Sequence, residues 1–312
     1  MGLLASCVAL MLVACSQGTN DSTKHSKVEN KAAQGSEGFS DVGIQRADTK
    51  SRPVFFIHGY DFKGSPTNTG SGHDCKAYWN KTLEWFKHRK WSSSNLITWG
   101  YYGGNKRCDR NLTSGHVNTE PTVIARKLAN HIYENYSKKD RPVDMVGHSY
   151  GGLIIRAAIV GTNKKVKGFP PYLLIEDAVT MGTPHHGATL ASACPHVQCK
   201  RMAKGSNWIK WLNGGNSEAR GGTDWTLIGS NADLVVSADS ATAMTGDHKK
   251  MSAEHRIRYY KQEGIGHNDY TDIGKGMTYD YWRIRNGGKG YRVSNSAGPI
   301  RMANRATQFA RW

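Results

Sequence analysis

PVDMVGHSYGGLII, residues 142–155, decides how the chain is read. A short apolar run of strand length, Val143 to Val146, meets Gly147-His148-Ser149-Tyr150-Gly151, and Gly151 to Val160 follows as a helix buried on most of its circumference. A serine at a sharp strand-to-helix turn, in the pattern G-x-S-x-G, occupies a strained backbone conformation. Side chains at the flanking positions would collide with the adjacent helix and strand, so glycine stands there for steric reasons. The turn lifts the hydroxyl clear of the sheet. The helix start beneath it offers free N–H groups and a dipole that favours developing negative charge. Ser149 is therefore the predicted nucleophile.

Outward from this turn, strand-like apolar runs alternate with segments of helical spacing. PVFFI (53–57) is a buried strand, AYWNKTLEWFKHRK (77–90) has helical spacing, and NLITW (95–99) is the next strand. EPTVIARKLANHIYENYSKK (120–139) is predicted helical, with Thr119 as its cap, Pro121 in its first turn, and Ile124, Leu128, His131 and Ile132 along one side. A further strand covers YLLIEDAVTM (172–181). This alternation predicts an α/β fold with a mostly parallel central sheet flanked by helices. Without an internal repeat or a second core, residues 51–312 read as one domain.

Three segments, in order, resemble the α/β-hydrolases and, within them, the bacterial lipases and esterases of triacylglycerol-lipase type. FFIHGY (55–60) looks like the strand and His-Gly loop that supply half of an oxyanion hole. GHSYGG (147–152) looks like the lipase nucleophile elbow, and VTMGTPHHGATLA (179–191) resembles the loop after the next strand. The likeness runs from about Pro53 to His267. It implies a triad in the order serine, acid, histidine. Of the histidines after Ser149 (His185, His186, His196, His248, His255 and His267), His267 in GIGH resembles the one presented as base. A strand over Arg256–Lys261 leads to it, and His185 and His186 are expected at the pocket edge. Asp233 in LIGSNADLVVSADSA resembles the acid, with Asp239 as the alternative six residues on. The resemblance also implies an oxyanion hole built from the backbone N–H groups of Tyr60 and Tyr150, with His58 structural. The chemistry requires no metal and no organic cofactor.

These residues predict a serine hydrolase cleaving carboxylic esters through an acyl-enzyme. Two alternatives are an acyltransferase with the same triad and a catalytically silent fold serving as a binding protein. Residues 194–225, with Met202, Trp208, Ile209, Trp211 and Leu212, look like a lipase lid. Packing of these tryptophans against the domain body is the competing arrangement.

The first residues lead to the expectation that this domain is exported. MGLLASCVALMLVAC (1–15) is an apolar run too short to span a membrane and of signal-peptide length. Leu12-Val13-Ala14-Cys15 resembles the lipobox of bacterial lipoproteins, with Cys15 the acylated anchor; no Lys or Arg precedes the run, so the natural start is expected further upstream. Residues 16–50 read as a flexible polar linker, about 30 to 35 Å from end to end. Apolar residues make up 38% of the 312, enough for a core, and 42 Lys and Arg against 25 acidic residues leave a charge of +17. That field favours association with an anionic membrane or cell-wall surface, while the ester or lipid substrate is what the resemblance implies. Export argues against nucleic acid. In an oxidising compartment Cys75, Cys108, Cys194 and Cys199 form two disulfides, Cys75 with Cys108 and Cys194 with Cys199 being favoured among three pairings. A zinc site of Cys194, Cys199 and nearby histidines is the competing arrangement, but the spacing fits no common zinc pattern.

Overall fold

Every residue of Val54–Ile57 is buried, and alternate side chains enter different cores. Phe55 and Ile57 pack with Ile124, Leu128 and Leu153, while Val54 and Phe56 pack with Trp79, Phe86 and Met302. A strand with both faces covered must be apolar throughout, which is why it lacks polar alternation. The structure, a computed structural model, describes residues 46–67, 70–112, 114–244, 251–273, 278–310 and 312. The proposed signal sequence, Cys15, most of the linker and His248 lie outside them.

The described residues form one nine-stranded sheet in the order β3-β2-β1-β4-β5-β6-β7-β8-β9. Its strands are β1 (Val54–Ile57), β2 (Leu96–Gly100), β3 (Arg110–Asn111), β4 (Val143–His148), β5 (Ile175–Met181), β6 (Asp224–Ser230), β7 (His255–Tyr259), β8 (Tyr279–Arg285) and β9 (Tyr291–Ser296). Pairing is parallel from β3 through to β7 and antiparallel between β7, β8 and β9. α1 (Cys75–Tyr78), α2 (Asn80–His88), α3 (Pro121–Asn135), α4 (Tyr150–Asn163), α5 (Val197–Met202), α6 (Asn207–Asn213), α7 (Ala238–Ala241) and α8 (Pro299–Gln308) surround it. α3 and α4 contribute to one apolar core, and α2 and α8 to the other. Disulfides join Cys75 to Cys108 and Cys194 to Cys199. They fit a protein exported to an oxidising compartment, and no helix of the described residues is long and apolar enough to cross a membrane.

Several local expectations need correction. Glu120, not Thr119, precedes α3 as its cap residue, without a side-chain cap bond; the Thr119 hydroxyl accepts from the His116 N–H instead. β7 begins at His255 and ends at Tyr259, ahead of the expected Lys261. Residues 46–50, read as the linker's end, lie against the domain: Arg46 pairs with Asp224 at 3.2 Å, and the Thr49 N–H donates to the Gln308 carbonyl. The packed part of the chain therefore begins ahead of residue 51.

At the amino ends of β4 and β5, opposite Ser149, Arg52 pairs with Asp144 (3.1 Å), Glu176 (2.5 Å) and Asp177 (3.5 Å), all four buried. Burial pushes the Asp144 carboxyl up to about 7 although Arg52 pulls it down. A carboxyl raised on folding keeps a proton that the unfolded chain releases, so its contribution to stability declines as pH rises from about 4 towards 7. Arg52→Met removes the cation and is expected to cost about 3–5 kcal/mol at pH 8. The loss should shrink at pH 5, where the carboxyls can hold protons. Urea unfolding at both values checks this; an equal loss at each pH would refute the electrostatic account.

Candidate active site

Ser149 directly follows β4 and precedes α4, with φ 53° and ψ −124°. Such a backbone costs an L-residue on the order of 1–3 kcal/mol and persists only where its surroundings hold it. Here the Ser149 N–H donates to the Met181 carbonyl (2.9 Å), and the Thr183 hydroxyl donates to the Ser149 carbonyl (2.8 Å). The neighbouring glycines are required by close approach. A Cβ on Gly151 would lie 2.2 Å from the Ile57 carbonyl oxygen, and one on Gly147 would lie 2.6 Å from the Gly152 Cα.

The loops after β6 and β7 bring two more groups to the serine. His267 Nε2 lies 2.9 Å from Ser149 Oγ, and His267 Nδ1 lies 2.8 Å from Asp233 Oδ2. All three residues are buried. Asp233 Oδ1 accepts from the N–H groups of Val235 (2.8 Å) and Val236 (2.9 Å), which fixes the carboxylate while Oδ2 faces the imidazole. An ionised carboxylate only accepts, so the proton sits on Nδ1 and Nε2 is left to accept from the serine hydroxyl. Asp239 stands on α7 and pairs with Arg258 at 2.6 Å. The structure thus brings Asp233, not Asp239, to His267.

The Tyr150 N–H opens α4, where the first amides have no partner within the helix. Neither it nor the Tyr60 N–H has an acceptor among the described residues. The side chains are engaged elsewhere: Tyr60 bonds His196 Nδ1 through its hydroxyl, and Tyr150 is buried in the core. His58 is buried, with Nε2 2.9 Å from the Asn105 amide nitrogen and its ring stacked on Tyr101. His185 is not at the pocket edge as expected: it is fully buried, with Nε2 2.9 Å from the Thr180 hydroxyl. His186 does line a surface cavity, beside Asp233 and Leu234.

Two residues escaped the sequence reading. The Tyr78 hydroxyl accepts from the Gly59 N–H (3.0 Å) and lies 2.5 Å from His148 Nδ1, while His148 Nε2 lies 2.8 Å from the His267 carbonyl oxygen. Burial, and then the neighbouring His267, hold His148 well below the usual histidine range, so it is neutral. One proton arrangement satisfies every member: Tyr78 O–H donates to Nδ1, and Nε2–H donates to the carbonyl. The loop carrying Tyr60 is thereby tied to the loop carrying His267. Tyr78→Phe breaks the tie and is expected to lower kcat about tenfold, the equivalent of one hydrogen bond of about 1.4 kcal/mol. Steady-state kinetics on a soluble ester, with thermal unfolding as a control for folding, tests this; an unchanged kcat would show that the network positions nothing.

Ser149 opens onto two cavities. One, of about 580 Å³, is the more polar of the two and includes Lys63, His73, Lys106, His148, His267 and Asn268 in its wall. The other, of about 370 Å³, is walled chiefly by apolar residues, including Pro184, Leu190, Met202, Val235 and Val236. Exposed Phe62 stands in the walls of both, and exposed Leu190 in that of the second. In the stretch read as a lid, Trp208, Ile209 and Leu212 are buried and belong to the domain's own core, so in this state they pack against its body.

A mostly parallel sheet covered on both faces, with the serine at a strand-to-helix turn, is the α/β-hydrolase fold. The model of the class 2 lipases matches residues 51–275, and the chain belongs to that family. Membership supports an ester hydrolase activity. No curated protein matches the chain. Among solved structures it is similar to phospholipase PlaB from Legionella pneumophila in complex with thio-NAD, at 15% identity and a TM-score of 0.42, covering 61% of this chain and 44% of that one. The mature form of the Bacillus licheniformis lipase BlEst2 has 15% identity and a TM-score of 0.40, with 64% and 83% covered. A Listeria innocua protein, the lin2722 product, has 15% identity and a TM-score of 0.44, with 71% and 89% covered. The chain thus spans less than half the length of the Legionella protein.

Proposed function

We propose that the protein is a serine carboxylic ester hydrolase working through an acyl-enzyme on Ser149. The unbroken chain of hydrogen bonds from Ser149 through His267 to Asp233 carries the reading. As Ser149 Oγ bonds to the ester carbonyl carbon, its proton passes to His267 Nε2, and Asp233 stabilises the imidazolium. The developing oxyanion is received by the N–H groups of Tyr60 and Tyr150, each worth on the order of 3 kcal/mol. The carbon–oxygen bond to the alcohol then breaks, and the proton moves from Nε2 to the departing oxygen. Water, deprotonated by the same imidazole, releases the acid and restores the serine. The apolar cavity suits an acyl chain of modest length, since its volume lies near the lower end of the ~300–1,000 Å³ of small-molecule sites. The enzyme acts outside the cytoplasm, tethered through an acylated Cys15 by the polar segment that follows.

Reaction with a fluorophosphonate, followed by peptide mass spectrometry, tests the reading. Label is expected on the peptide containing Ser149; a folded protein that takes up none would overturn the proposal.

A further inference from the structure

The two cavities at Ser149 differ in chemistry, and the position of His267 decides which half of an ester each receives. The departing alcohol oxygen takes its proton from His267 Nε2 and must lie within hydrogen-bond reach of it. His267 and Asn268 line the polar cavity and are absent from the wall of the apolar one. The alcohol half therefore lies in the polar cavity and the acyl half in the apolar one. Lys63 and Lys106 stand in the wall of the polar cavity, both exposed. Neither ammonium has an ion pair or hydrogen bond among the described residues. The single carboxylate among the described residues of that wall, Asp61, is hydrogen-bonded: Oδ1 accepts from the Lys63 N–H (3.0 Å) and Oδ2 from the Gly72 N–H (2.8 Å). Two such cations in the wall of the cavity that receives the alcohol are complementary to an anion on that alcohol.

We propose that the preferred substrate is an acyl ester whose alcohol half bears a phosphate, as in glycerophospholipids and their lyso forms, with Lys63 and Lys106 reading the phosphate. The proposal rests on the ester-hydrolase reading above. The charge of +17 acts in the same direction at longer range, concentrating anionic esters at the surface.

The test uses the full chain and two water-soluble esters below their aggregation limits, 1-hexanoyl-glycerol and 1-hexanoyl-glycerol-3-phosphate. Monomeric substrates separate recognition of the phosphate from attraction of the whole protein to a charged membrane. At low salt, kcat/KM for the phosphate ester is expected to exceed that for the neutral ester about tenfold. The ratio should fall as ionic strength rises. In Lys63→Ala/Lys106→Ala it should approach one, and in Lys63→Arg/Lys106→Arg it should persist. Equal kcat/KM values in the wild type, or a preference that survives in the alanine variant, would overturn the proposal while leaving ester hydrolysis intact. Cleavage of neither ester by a folded sample would overturn the ester-hydrolase reading and this proposal with it.

Discussion

Ser149→Ala is expected to lower kcat on a soluble ester by about 10⁶-fold while the protein stays folded. Among the described residues the hydroxyl bonds His267 Nε2, so its removal leaves no other buried group without a partner. The elbow is held by the backbone of residue 149 through Met181 and Thr183, and alanine keeps both of those bonds. Residual activity would come from the Tyr60 and Tyr150 N–H groups and substrate binding alone, a contribution on the order of 10³–10⁴ over water. Turnover and thermal unfolding measured on the same sample decide the matter. A variant that unfolds at the same temperature and hydrolyses esters within tenfold of the wild type would remove Ser149 from the chemistry.

Asp233→Asn should lower kcat by about 10⁴-fold, and Asp239→Asn should leave it nearly unchanged. An asparagine at 233 can still accept from Val235 and Val236 through Oδ1, so the turn survives. Its NH₂ group would then face His267 Nδ1, which must become an acceptor, and the imidazole proton moves to Nε2. There it points at Ser149 Oγ and the base is lost. Asp239, paired with Arg258 on α7, has no path to the imidazole. Parallel kinetics on the two variants, each checked for folding, separate the candidates. A larger loss at 239 than at 233 would reverse the assignment.

Much of this architecture is legible in the chain itself. PVFFI is apolar without alternation because both sheet faces are covered, VDMV departs from this only at Asp144, and that pattern, alternating with helical spacing, already implies a parallel sheet. The hairpin of β8 and β9 was not legible. Tyr279 and Tyr281 alternate towards the core, but Arg283 continues the buried side and β9 is largely exposed, so neither strand has a plain two-residue rhythm. Thr119 fits a cap by residue type, yet its hydroxyl is taken by the His116 N–H.

The division at the site follows from the range of the forces involved. Ser149 could be read locally because the requirement for glycine on either side arises from backbone crowding within a few residues and from the strand and loop packed against them. His267 lies 118 residues along the chain from Ser149 and 34 from Asp233, on loops brought together only by the order of β4, β5, β6 and β7 in the sheet. The choice between Asp233 and Asp239, the bridge of Tyr78 and His148, and the division of the site into a polar and an apolar cavity all depend on distances of a few ångströms across that sheet edge. No pattern along one strand or helix encodes such distances, because they are set by packing between elements far apart in sequence.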